Sequence, residues 1–144
     1  MSVVEENWAA RPDDAVRQLL REVRTIAVLG ASADPNRASN EVAGYLLERT
    51  EYQVYLVNPH IAEALGQPVY PSLASLPVVP DLVDTFRRTS ELSSILDEVI
   101  RSGMKVWWLQ LGLWVPDLAQ RAEAAGVTVV MDRCLMVEHA RLSP

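Results

Sequence analysis

Short unbroken apolar runs alternate along this chain with longer stretches in which apolar residues recur every three or four positions. The first kind predicts strands buried on both faces, the second helices laid against them. An opening helix is expected over 13–24, where Val16, Leu19, Leu20 and Val23 share one face. The first strand follows at 26–29, and a helix over 39–49 buries Val42, Ala43, Tyr45 and Leu46. A second strand at 52–57 is stopped by Asn58-Pro59. The connection beyond it holds a short strand at 68–70 and a helical turn after Pro71-Ser72. A core strand over 82–86 leads to the clearest helix, capped by Thr89 or Ser90, striped by Leu92, Ile95, Leu96, Val99 and Ile100, and ended by Gly103. A strand over 106–110, a helix over 117–125 between Pro116 and Gly126, and a strand over 127–131 complete the pattern. Asp132-Arg133-Cys134 and a short tail come last.

This alternation predicts a single α/β domain, Rossmann-like and doubly wound. A mostly parallel sheet of about five strands should carry helices on both faces. At 144 residues the chain has the length of one domain. Residues 1–14 read as an N-terminal extension and 15–142 as the folded unit.

Composition narrows the classes of function. Nothing approaches the ~20 apolar residues of a membrane span. The first residues are acidic, with no basic region ahead of an apolar core, so no secretory signal is expected. Thirteen basic against 19 acidic side chains give a net charge of −6, which argues against a nucleic-acid surface. Cys134 is the only cysteine, so an intrachain disulfide and a cysteine zinc cluster are both excluded and a reducing, cytoplasmic setting is expected.

Open α/β sheets bind ligands beyond the carboxyl ends of their strands. Here those ends read Gly30-Ala31-Ser32, Asn58-Pro59-His60, Phe86-Arg87-Arg88, Gln110-Leu111-Gly112 and Asp132-Arg133, every one polar or glycine-bearing. In TIAVLGASADPNR (25–37), Gly30 allows a sharp turn and Ser32 offers a hydroxyl. The next helix presents its unpaired amides, and Arg37 adds a charge, which together suit a phosphate or pyrophosphate. The plainer reading is that Ser32, Asp34 and Asn36 only make turns while Ser39 only caps. The second and third glycines of a dinucleotide-binding turn are missing, and the second strand ends in Val57-Asn58-Pro59 without a carboxylate. No Gly-Lys-Ser/Thr follows the first strand, which excludes a P-loop.

Several segments carry a resemblance in the right order and spacing: TIAVLGAS (25–32), the Arg37/Ser39 helix entry, YLVNP (55–59), ALGQPVYPSL (64–73), VDTFRR (83–88), VWWLQLG (106–112) and AAGVTVVMDRCLMVEH (124–139). Through them the chain resembles the small bacterial and archaeal coenzyme A-binding proteins. These are similar to the nucleotide-binding N-terminal domain of the succinyl-CoA synthetase α subunit. The resemblance covers roughly residues 15–142 and implies binding of coenzyme A or an acyl-CoA without catalysis. It implies that Gly30, Ala31, Ser32, Arg37 and Ser39 face the phosphates, and that Val57, Asn58 and Pro59 border the adenosine. Phe86 and Arg87 would line the path of nucleotide and pantetheine, with Gln110 and Gly112 near the thiol end.

No catalytic or metal-binding set is expected, since Asp81, Asp84 and Glu138 form no carboxylate pair. Arg88 is expected in solvent, His60 in a surface turn and His139 in a structural tail. Trp107 and Trp108 should face opposite sides of the sheet, one of them partly exposed and suited to a dimer contact. The oligomeric expectation is a monomer or weak homodimer. Other readings stay open: an enzyme, either an NAD(P)-binding oxidoreductase or an acyl-CoA ligase fragment acting with a partner, and a CoA-responsive thiol sensor acting through Cys134, a residue that also reads as simple packing.

Overall fold

Parallel ladders dominate the computed structural model, which describes residues 11–144. The strands are β1 (Thr25–Leu29), β2 (Gln53–Val57), β3 (Glu63–Ala64), β4 (Gln67–Tyr70), β5 (Leu82–Thr85), β6 (Val106–Leu109) and β7 (Thr128–Val130). They form one sheet in the order β3-β4-β2-β1-β5-β6-β7. Only the β3–β4 pair is antiparallel. Five helices are described: α1 (Asp13–Glu22), α2 (Ala38–Arg49), α3 (Leu92–Ser102), α4 (Pro116–Ala124) and α5 (Leu135–Leu142). The first ten residues of the expected 1–14 extension lie outside the described residues, and Asp13-Asp14 open α1.

The doubly wound, mostly parallel Rossmann-like class expected from the sequence is what the chain adopts, with seven strands where about five were expected. β4 occupies the short strand anticipated at 68–70. β3 folds back on it through Leu65-Gly66, both at positive φ (54° and 69°), as a tight hairpin turn requires. Two residues are too few to show alternation, so β3 has no sequence signature.

The sheet separates two apolar layers because neighbouring residues of a strand point to opposite faces. Ile26, Val28, Leu56, Leu82 and Trp108 pack with Val16 and Leu20 of α1, Val42 and Leu46 of α2, and Leu135 and Leu142 of α5. Ala27, Val57, Val83, Trp107 and Val129 pack with Leu92, Leu96 and Val99 of α3 and Ala119 and Ala122 of α4. Trp107 and Trp108 do face opposite sides, but both are fully buried, correcting the expected exposure of one. Helices cover both faces at β6, and each indole also finds an acceptor. Trp107 Nε1 donates to Thr85 Oγ1 (3.1 Å), Trp108 Nε1 to the Arg133 carbonyl (2.8 Å).

Three further boundaries differ. The anticipated tail after Cys134 is the helix α5, whose two fully inward positions, Leu135 and Leu142, lie too far apart to mark a stripe. α2 begins at Ala38, with Arg37 rather than Ser39 in the capping place. Thr89 and Ser90 belong to a single 3₁₀ turn ahead of α3, closed by the Arg88 N–H donating to Glu91 Oε2 (3.2 Å).

Candidate functional site

The chain leaves β1 for α2 on one face of the sheet and leaves β5 for α3 on the other, although β1 and β5 are neighbours. Such a reversal of winding opens a crevice beyond the strand ends. Here it contains a cavity of about 370 Å³ lined by Gly30, Ala31, Ser32, Arg37, Ala38, Ser39, Asn58, Phe86 and Arg87. An adjoining cavity of about 660 Å³ shares Arg37, Phe86 and Arg87 and adds His60, Arg88 and Glu91.

Gly30 sits at φ 92°, and a Cβ there would lie 2.3 Å from the Phe86 carbonyl oxygen. The two strand ends therefore meet through backbone. The N–H groups of Gly30 and Ala31 both donate to the Val57 carbonyl (2.9 and 3.1 Å), tying the loop to β2. Side-chain amides brace the rest. Asn58 Nδ2 donates to the Ala31 carbonyl (2.7 Å), Asn40 Nδ2 to the Ser32 carbonyl (2.9 Å). Ser32 Oγ accepts from the Asp34 N–H (3.0 Å), Asp34 Oδ1 from the Asn36 N–H (2.9 Å), and the Arg37 N–H returns to the Asp34 carbonyl (3.0 Å).

This bracing leaves a specific set of donors. Among the described residues the Arg37 guanidinium makes no hydrogen bond or ion pair. The N–H groups of Ala38 and Ser39 open α2 and have no intrahelical acceptor. The Ser32 hydroxyl accepts one bond and keeps its own proton to donate. Arg87 is half-committed, its Nη2 donating to Glu91 Oε1 (2.8 Å). Burial would raise the Glu91 carboxyl, but the hydrogen bonds from Arg87 and the Arg88 backbone outweigh it and hold the group below its ordinary range.

Eight expected site residues thus converge: Gly30, Ala31, Ser32, Arg37, Ser39, Asn58, Phe86 and Arg87. Val57 is fully buried and contributes its carbonyl to the loop, while Pro59 is exposed; neither lines the two cavities. Gln110 and Gly112 lie at the β6 end, also outside both. The Gln110 Oε1 accepts the Leu135 N–H (3.0 Å) and fastens α5, and the Gly112 N–H donates to Asp132 Oδ1 (2.7 Å).

Sequence reasoning set aside His60 and Arg88, which both line the second cavity. Arg88 is exposed, as expected, but β5 ends at Thr85. Strand alternation therefore does not govern where Arg88 points. His139 stands on α5, its Nδ1 2.8 Å from the Tyr45 hydroxyl, and burial lowers its pKa. Cys134 is half-buried against the apolar layer.

One charged residue was weighed only as half of a carboxylate pair. Asp84 lies inside β5 between Val28 and Trp108, wholly buried, with neither carboxylate oxygen hydrogen-bonded. Burial pushes its carboxyl well above the ordinary range. Among the described residues no three His, Cys, Asp or Glu side chains gather closely enough to hold a metal, and no helix is long and apolar enough to cross a membrane.

Known proteins agree with this architecture. An uncharacterized Bacillus subtilis protein, YneT, is 34% identical over 125 residues, covering 87% of this chain and 92% of its own. A hypothetical protein from Pyrococcus horikoshii OT3 superimposes with a TM-score of 0.86 at 37% identity, covering 92% of this chain and 93% of that one. The ADP-forming acetate–CoA ligase I of Archaeoglobus fulgidus is 29% identical over 125 residues, 78% of this chain but 18% of the ligase. The sequence model of the CoA binding domain matches residues 24–140, from just before β1 into α5, and the chain belongs to that CoA-binding family.

Proposed function

We propose that this protein binds coenzyme A or an acyl-CoA in the crevice beyond β1 and β5, without catalysis of its own. The observation that carries the reading is Arg37. It is a guanidinium unpaired among the described residues, beside the open N-terminus of α2, and it lines both cavities of a member of a CoA-binding family. In this reading the pyrophosphate meets Arg37, the Ser32 hydroxyl and the Ala38 and Ser39 amides. Asn58 and Pro59 flank the adenosine, Phe86 and Arg87 the pantetheine path, and Gln110 and Gly112 the far end. Gly30, Ala31 and Val57 supply the fixed floor. β2 ends without a carboxylate to hold ribose hydroxyls, which favours coenzyme A over NAD(P). Among the described residues no nucleophile lining the crevice is hydrogen-bonded to a base, which favours binding over turnover. The ligase shares only a fraction of its length with this chain, so ligation is no part of the proposal. A cytoplasmic monomer or weak dimer, with no nucleic-acid or membrane partner, completes the reading.

Calorimetry tests it directly. Coenzyme A should bind well above NAD, and Arg37→Ala should weaken coenzyme A by about 1.5–3 kcal/mol, the value of a charge-assisted hydrogen bond. Equal or tighter binding of NAD would overturn the assignment.

A further inference from the structure

At the opposite edge of the sheet, where the strands begin, a separate cavity of about 350 Å³ lies among the ends of α1 and α2, the start of β2, and α5. Three arginines line it: Arg21 near the end of α1, Arg24 just before β1, and Arg49 at the end of α2. The chain has 12 arginines. Six of these, Arg11, Arg17, Arg87, Arg121, Arg133 and Arg141, are ion-paired. Of the six without an ion pair among the described residues, Arg37 and Arg88 line the crevice already described and three converge here. In a protein of net charge −6, so many unpaired cations in one hollow call for an explanation.

Arg21 and Arg49 sit in last helical turns, where carbonyl ends already favour cations. Arg24 lies outside both helices and has no such role. Glu51 and Pro144 line the cavity too, yet no carboxylate comes within 4.0 Å of the three guanidinium groups among the described residues. His139 also reaches the cavity. Its Nδ1 is engaged by the Tyr45 hydroxyl, leaving Nε2 as its free ring nitrogen. The nearby Tyr52 hydroxyl is spent on the Leu20 carbonyl (2.6 Å). The hollow therefore gathers three cations with no carboxylate in pairing distance, beside Glu51 and the closing carbonyls of α1 and α2.

We propose that this cavity is a second anion site, taking a small, multiply charged phosphate compound on Arg21, Arg24 and Arg49, with His139 at its edge. Guanidinium groups grip phosphate oxygens in pairs, and three of them match a ligand with more than one negative charge. The volume exceeds that of a single water-sized guest and admits an ester or diphosphate. The site lies across the sheet from the CoA crevice and does not depend on that reading.

Inorganic pyrophosphate at low ionic strength is the probe, followed through the His139 ring resonances by NMR and by calorimetry. In the intact protein it should shift those resonances in a saturable way. Arg24→Ala and Arg49→Ala should each weaken that transition tenfold or more, with unchanged thermal unfolding confirming the fold. Arg37→Ala should leave it intact even if coenzyme A binding is lost. The proposal is overturned if the His139 resonances do not respond. It is equally overturned if their response disappears with Arg37→Ala and survives Arg24→Ala.

Discussion

Replacing Gly30 by alanine separates two demands that the crevice makes on one residue. Its φ of 92° lies in the left-handed region, where an added side chain costs about 1–2 kcal/mol. The new Cβ would also stand 2.3 Å from the Phe86 carbonyl oxygen and 3.1 Å from Arg87 Cδ. Reaching even a tight 3.0 Å contact needs 3.0 − 2.3 = 0.7 Å of movement between two backbones. The Phe86 N–H is held to the Leu29 carbonyl at 2.8 Å, so that movement also costs about 0.5–1.5 kcal/mol of backbone hydrogen bond. The total is roughly 1.5–3.5 kcal/mol. Gly112→Ala is the control: its φ is 87°, but a Cβ there meets nothing within 4 Å, so only the conformational part, about 1–2 kcal/mol, applies. Urea unfolding of both variants reads the difference as a shift in midpoint at constant slope. Coenzyme A affinity should fall for Gly30→Ala because Phe86 and Arg87 are displaced. Equal destabilisation of the two variants, with unaltered affinity, would refute the steric argument.

Two further expectations follow from side chains around the same strand ends. Asp84 has a folded pKa above its unfolded value of about 4, so the folded state binds more protons and stability falls as pH rises from there through the raised value. Asp84→Asn abolishes that dependence, and its stability relative to wild type should climb between pH 4 and pH 7; a difference that is flat or falls with pH removes the neutral carboxyl. Asn58→Ala strips a donor from the Ala31 carbonyl and an acceptor from the His60 N–H. It should cost about 1–3 kcal/mol in urea unfolding and weaken coenzyme A, whereas unchanged stability would mean the loop is not braced there.

The fold was legible wherever burial imposed a pattern. β1 and β6 are covered on both faces and read as unbroken apolar runs, and α3 carries a full stripe. What escaped was structure defined by partners. β3 exists only through its pairing with β4, and α5 keeps just two fully buried positions, seven residues apart. The exposed tryptophan was a misreading of a legible rule. A strand buried on both faces hides both of two successive indoles.

The site was legible to a different depth. Strand, glycine, turn and helix in succession located the crevice, and eight named residues came together there. Which of their groups remain available was not legible, because that depends on register. The β1–β2 pairing sets Leu29 against Val57, and the next two amides close onto the Val57 carbonyl. A phosphate held here therefore cannot rely on the Gly30 and Ala31 N–H groups, as the glycine turn alone suggested. In the proposed reading its grip would pass to the first turn of α2, the Ser32 hydroxyl and above all Arg37. Gln110 repeats the lesson, since its carboxamide oxygen is spent on a helix that the sequence did not reveal. Asp84 inverts it. A carboxylate inside the apolar run of a doubly covered strand was visible from the start, and a broken pattern of that kind is the signal most worth following toward a site.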